Sequence, residues 1–215
     1  MTGKPSPCIA IDGPSASGKS TVAREVAREL GWIYVDSGAL YRALTWHALE
    51  RGVNPKDAAD VVQLLQNTGW SFRVEQGALC YTIDGRDPGE AIRGGPVREN
   101  VSYIAAMPEV RAFIVDRLRE TTSFGPVVME GRDIGTVVFP RTPWKFYLDA
   151  DPEVRARRRL KDIVQLEGGG DVREVSASLH RRDTLDRSRA TAPLQVAADA
   201  DVIDSSGMTA REVAT

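Results

Sequence analysis

Cysteine and histidine are nearly absent from this 215-residue chain, with two of each. Cys8 and Cys80 are too few for a disulfide framework and have no metal-ligand spacing, which leaves a reducing cytosol as the simple expectation. His47 and His180 likewise lack metal-spaced partners and are expected on helix faces. No apolar run approaches the ~20 residues that cross a bilayer. Met1-Thr2-Gly3-Lys4-Pro5 carries no signal-peptide core, so no membrane role is expected. There is no internal repeat and no low-complexity tract. Aromatics make up only 7%, and Trp32, Trp46, Trp70 and Trp144 are expected in the core. No basic stretch is interleaved with aromatics as a nucleic-acid groove requires. A net charge of −2 gives no global field toward nucleic acid or membrane. Lysine is scarce too, with five among 28 basic residues. The remaining arginines have the planar fork that suits bidentate phosphate binding, although a compositional bias would give the same count. No long exposed apolar stripe is visible, so a monomer is expected.

What the chain does have is Gly13-Pro14-Ser15-Ala16-Ser17-Gly18-Lys19-Ser20-Thr21, which fits G-x-x-x-x-G-K-[ST]. The apolar run Cys8-Ile9-Ala10-Ile11 precedes it with buried-strand composition. Val22, Val26 and Leu30 follow at helical spacing up to Gly31. A glycine-rich loop joining a strand end to a helix N-terminus turns successive N–H groups inward as an anion nest, with the positive helix end behind it. Lys19 can reach the β- and γ-phosphates and the Ser20 hydroxyl can ligate Mg²⁺. The loop predicts a nucleoside triphosphate site.

Trp32-Ile33-Tyr34-Val35 reads as a second buried strand running into Asp36-Ser37-Gly38, where Asp36 or Ser37 can cap the next helix. A short helix after Asn54-Pro55 has Val61, Val62, Leu64 and Leu65 as its apolar face. From Phe72 to Ile83 apolar and polar residues alternate around Gln76-Gly77, which predicts a hairpin with one wet face. Pro96 and Pro108 fit first-turn positions of two further helices. All-apolar strands return at Val127–Glu130, Trp144–Asp149 and Ala200–Asp204. Strands alternating with helices predict an α/β fold, a doubly wound five-stranded parallel sheet. Ligands gather at the carboxyl ends of such strands, where Gly13, Asp36, Arg132 and Asp149 fall. The expected division is a core of 1–69 and 106–215, an insert of 70–105, and a helical lid of 154–172.

Between the last two strands Arg155, Arg157, Arg158 and Arg159 precede Gly168-Gly169-Gly170, and a second basic stretch from Arg181 to Arg189 follows. Such clusters are commonly solvated faces, but three glycines between two basic helices also suit a closing lid. Three reaction classes compete for the loop. A switch GTPase needs a guanine-reading Asn/Thr-Lys-x-Asp, which is missing. A motor or transport ATPase usually has an apolar strand ending in Asp, whereas this one ends in Glu130-Gly131. A small-molecule kinase needs a second pocket and a lid, and both have candidates.

Four extended motifs narrow the choice. Ile11-Asp12-Gly13-Pro14-Ser15-x-Ser17-Gly18-Lys19, Asp36-Ser37-Gly38-Ala39-x-Tyr41-Arg42, Gly131-Arg132-Asp133-x-Gly135-Thr136-x-x-Phe139-Pro140, and Arg182-Asp183-x-x-Asp186-Arg187-x-Arg189 with Ala192-Pro193-Leu194 resemble bacterial cytidylate kinases, in order and across essentially the whole chain. One departure is at the end, where the chain stops at Thr215 and family members usually continue a final helix. The resemblance implies a P-loop three-layer α/β/α enzyme that phosphorylates CMP and dCMP from ATP with Mg²⁺, in the cytoplasm. The attacking phosphate oxygen is already ionised at neutral pH, so the reaction needs charge neutralisation rather than a general base. By resemblance Arg42, Arg132 and Arg189 grip the CMP phosphate; Lys19, Mg²⁺ and arginines of the lid, with Arg158 and Arg159 as the expected ones, hold the transferred group. Ser37, Ser102, Arg111 and Asp133 belong to the acceptor pocket, with Arg182 and Asp186 as sugar contacts. A carboxylate at Asp133 can accept from the cytosine amino group and repels the uracil O4, while Arg111 can donate to N3 and O2.

Overall fold

The computed structural model describes residues 7–215, and the reading of Met1–Pro5 lies outside them. β1 (Cys8–Asp12) is buried along its whole length because both of its faces are covered. Cys8 and Ala10 face one layer of helices, while Ile9 and Ile11 face the other, as the period of two requires. The first layer contains α2 (Ser37–Glu50), α3 (Ala58–Gln66), α4 (Gly95–Ile104) and α5 (Pro108–Glu120), packing Leu40, Leu44, Val61, Ile104, Val110 and Ile114 on the sheet. The second layer is α1 (Lys19–Leu30) with α8 (Ala210–Ala214), which contribute Val22, Ala23, Ala27 and Val213. Although α8 spans five residues, its capping box is complete: Thr209 and Glu212 satisfy each other's backbone N–H groups.

The strand order is β3-β4-β2-β5-β1-β6-β7, with β2 at Ile33–Asp36, β3 at Trp70–Glu75, β4 at Ala78–Ile83, β5 at Val127–Gly131, β6 at Trp144–Asp149 and β7 at Asp201–Asp204. The five expected strands, β2-β5-β1-β6-β7, are all parallel. The sheet nevertheless has seven strands, not five. The hairpin of β3 and β4 is antiparallel, and β4 adds itself to the edge of β2 through the pair Tyr34–Ala78. Alternation in sequence revealed a half-wet hairpin but could not show that its inner strand would extend an existing sheet.

Capping explains several boundaries. Asp36 starts α2 by accepting from Ala39 N at 2.9 Å, and Pro96 and Pro108 lie in the first turns of α4 and α5. The basic region forms α6 (Pro152–Glu167) and α7 (Val172–Ser188), begun by Asp151 and Asp171 as N-caps. These two helices share a small core of Ala156, Ile163, Val175 and Leu179, against which Ala16 of the glycine-rich loop packs. Two expectations need correction. His47 is not on an open helix face: it is 3% exposed, with Nε2 at 3.4 Å from Asp84 in the hairpin. Trp144 is not core: it is 43% exposed, in edge contact with Trp32, because it begins a strand at the rim of the sheet.

Candidate active site

Every parallel strand ends at the same side of the sheet, and there a cleft of about 850 Å³ opens. Ser15 to Thr21 line it along one wall. Gly13 does not line it, but lets the loop form. Its φ is 150°, and a Cβ there would stand 2.0 Å from the Leu148 carbonyl oxygen, so no other residue fits. Lys19 is buried and its Nζ curls back to donate to Pro14 O at 2.6 Å. Burial, followed by the charge of Arg132, pushes its pKa down to about 7 against the opposing pull of Glu130, Asp12 and Asp183. The lysine is thus poised to take full charge when an anion arrives.

Further lining comes from α2, α4, α5, the turn after β5, α7 and the residue that follows it. Ser37, Arg42, Ser102, Arg111, Arg132, Asp133, Arg182, Asp186 and Arg189 all line the one cleft, although they span more than 150 positions of sequence. Their partners differ. Arg42 donates to Asp36 at 2.7 Å; burial works against that carboxylate, yet Arg42 holds its pKa below the usual range. Arg132 Nε donates to Asp186 at 2.9 Å. Arg111 is bound to Asp133 and to the Ala105 carbonyl, while Arg189 Nη2 stands 3.7 Å from Asp133. Burial raises the Asp133 pKa, partly offset by Arg111 and Arg189. Ser37 Oγ donates to Glu130 O at 2.7 Å.

Charge in the cleft is unbalanced. Buried Nε atoms of Arg42, Arg159 and Arg182, and Nη2 of Arg189, have no hydrogen-bond partner among the described residues. Arg182 is held at about 10 by burial and then by its like-charged neighbour Arg132. Arg159 is depressed by burial and by Arg98. Converging guanidinium groups with unused donors make a site for a polyanion. The two arginines expected to hold the transferred group separate here. Arg159 has a weak contact with Asp162 at 3.6 Å, whereas Arg158 is tied to Ser17 O, Ser205 Oγ and Ser205 O at 3.3, 3.1 and 2.6 Å. Arg158 therefore braces the loop from behind as well as facing the cleft.

Glu130, Arg155, Ser205 and Asp12 receive no role at the site from the sequence alone. Glu130 Oε1 accepts from Ser20 Oγ at 2.6 Å. Its signal is a carboxylate closing an apolar strand, at a place where aspartate is the usual residue. Arg155, Arg158 and Arg159 share the inner face of α6 at i, i+3 and i+4, while Arg157 is exposed, so helical spacing could have separated them. Nothing local marks Ser205, which donates to Ser17 O at 2.8 Å from beyond β7. Among the described residues no group of three His, Cys, Asp or Glu could hold a metal alone. A hydroxyl and a single carboxylate fit a cation that keeps its waters and is completed by nucleotide phosphates, as Mg²⁺ does.

The family profile and the curated relatives agree with one another. The family profile described as Cytidylate kinase matches residues 9–215. A cytidylate kinase from Desulforamulus reducens is 44% identical over 96% of this chain and 92% of its own length. One from Geobacillus thermodenitrificans is 43% identical over 96% and 92%, and one from Mycobacterium leprae is 44% identical over 95% and 91%.

Proposed function

The chain belongs to the cytidylate kinase family, and from that premise we propose that the cleft brings ATP and CMP or dCMP head to head. The γ-phosphoryl group passes to the monophosphate, giving ADP with CDP or dCDP. The observation that carries this reading is the facing of two anion sites: a backbone nest with buried Lys19 on one wall, and arginines with unused donors on the other.

Ser15 to Thr21 wrap the ATP phosphates with main-chain N–H groups. Lys19 leaves Pro14 O for the β- and γ-phosphates. Arg42, Arg132 and Arg189 hold the acceptor phosphate, and Arg159 with Arg158 neutralises the transferred group. No residue need take a proton, because the attacking oxygen is already an anion; the work is alignment and charge stabilisation. Ser20 and Glu130 would hold Mg²⁺, and the ion would supply further neutralisation of the transferring phosphoryl group. Asp133 accepts from the cytosine amino group while Arg111 and Ser102 address the rest of the ring edge. Uracil presents an oxygen to a carboxylate there, and a site that leaves buried polar groups mismatched rejects such a ligand strongly. Ser37 steadies the Glu130–Gly131 backbone beneath the acceptor, and Arg182 with Asp186 address the sugar. In this scheme 70–105 is the acceptor insert and 154–172 the lid. We place the enzyme in the cytoplasm as a monomer acting on free nucleotides; the two cysteines are unpaired, and no described helix is long and apolar enough to cross a membrane.

A coupled assay with ATP against CMP, dCMP, UMP, AMP, GMP and dTMP tests this. CMP and dCMP should be turned over well ahead of the others; a purine or thymidine monophosphate in first place would overturn it.

A further inference from the structure

Asp12 has no part in the scheme above, yet it is 5% exposed at the end of β1, one residue before the phosphate loop. Its two oxygens have separate partners. Oδ1 accepts from Ile134 N and Oδ2 from Gly135 N, each at 2.8 Å. These are the first N–H groups of a single π-helical turn, Ile134–Val138, so no earlier carbonyl of the turn can satisfy them. A carboxylate from a different strand does so instead.

The consequence falls on Asp133. The peptide that carries Ile134 N–H also carries the Asp133 carbonyl, and that oxygen accepts from Val137 N at 2.9 Å and Val138 N at 3.1 Å. Both ends of this peptide plane are therefore held, and ψ of Asp133 cannot rotate without breaking one set of bonds. Its backbone sits at φ −152° and ψ 27°, outside the main helical and extended basins, so it needs such support. On the N-terminal side, Asp12 is level with Gly131 in the β1–β5 ladder. The direction in which Asp133 leaves its backbone, toward Arg111 and Arg189, is thus set across 122 positions of sequence. Burying a carboxylate is costly unless its oxygens are satisfied, and burial lifts the Asp12 pKa to about 6, opposed by the two N–H bonds and by Lys19 and reinforced by Asp133. A neutral amide cannot replace it: one half of an asparagine would accept, while its NH₂ would face the other N–H donor.

We propose that Asp12 is a positioning residue for base selection, aiming the Asp133 carboxylate at the cytosine amino group. The inference rests on the reading that Asp133 recognises cytosine. It links the strand that carries the phosphate loop to the choice of acceptor base, with no contact between Asp12 and either nucleotide.

The test is the ratio of kcat/KM for CMP over UMP, which is independent of how much of a preparation is folded. It is measured on wild type, Asp12→Asn, Asp12→Glu, Asp133→Asn and, as a plain stability control, Leu44→Ala. Displacements near 1 Å at a reacting or reading group cost up to ~10²-fold, so Asp12→Asn should lower the ratio by about ten-fold or more. Asp12→Glu should also lower it although the charge is kept, and Leu44→Ala should leave it within about two-fold. A ratio lost in Asp133→Asn but kept in Asp12→Asn overturns the inference alone. A ratio unchanged in Asp133→Asn removes the base reading, and the inference with it. If neither Asp12 variant folds, amide exchange in the wild type decides: Ile134 and Gly135 N–H must be protected with and without CMP, and free exchange of either overturns the proposal.

Discussion

Arg155 Nη1 donates to Asp183 Oδ2 at 2.6 Å, and the same nitrogen reaches the Ser15 carbonyl of the phosphate loop at 3.2 Å. Its Nε holds Ala150 O at 3.1 Å. One side chain thus joins α6, α7 and the loop; α7 carries Arg182 and Asp186 and is followed directly by Arg189. The pair is buried on both sides, which makes it costly to break from one end, because the remaining charge stays dry and unpaired.

Arg155→Ala is therefore expected to cost roughly 3–5 kcal/mol and to lower the melting temperature by about 6 °C or more, with a raised KM for ATP. Asp183→Asn should be milder, because Arg155 keeps two backbone acceptors. Thermal melts and ATP kinetics on both variants check this; the reverse order of damage would show that Arg155 is not the strut.

Lys19→Met should lower kcat by roughly 10³-fold, in line with the loss of a major donor to a developing charge. Its effect on the nucleotide-free fold has the opposite sign. A lysine whose pKa falls from 10.5 to about 7 on folding binds fewer protons in the native state. Native stability from this group is therefore lowest below pH 7 and rises with pH between about 7 and 10.5. Lys19→Met should be more stable than wild type at pH 6, with the gap closing toward pH 10. Denaturant melts across that range check the slope, and a gap that widens with pH would contradict the burial argument.

Asp186→Ala should reduce kcat/KM for both CMP and dCMP by about ten-fold or more, since loss of a charged partner costs ~1.5–3 kcal/mol and Arg132 loses the oxygen that holds its Nε. The two losses should also be unequal if Asp186 contacts the sugar. Parallel kinetics with both substrates decide. Equal losses remove the sugar contact and leave the Arg132 role; losses below two-fold remove both.

The glycines between α6 and α7 are not equivalent. Gly168 caps α6 at φ 77°, where a side chain costs about 1 kcal/mol, and a Cβ at Gly170 would meet Leu160 at 3.0 Å. At Gly169 nothing lies within 4 Å, so Gly169→Ala alters chain stiffness alone. It should slow kcat without lowering the melting temperature. An unchanged kcat would make the glycine run a plain connector, not a hinge.

Local chemistry alone determined a good deal here. The phosphate loop needs only nine consecutive residues between an apolar run and a helical repeat, and each part is visible within a short window. The five parallel strands, the hairpin and the proline-started helices follow from the same short-range rules. What local rules could not supply is which strand ends stand side by side. The order β2-β5-β1-β6-β7 sets Glu130 against Ser20 across 110 positions and Arg158 against Ser17 across 141. It also puts His47 under the hairpin and leaves Trp144 in the open. Asp12 shows the limit most clearly: in sequence it is one polar residue before a glycine, and only when β1 lies beside β5 do its oxygens meet two N–H groups with no other partner. Periodicity and turn chemistry act over a few residues, whereas pairing between distant strands is decided by burial of the whole sheet, so the loop was legible in the chain and its surroundings were settled by the fold.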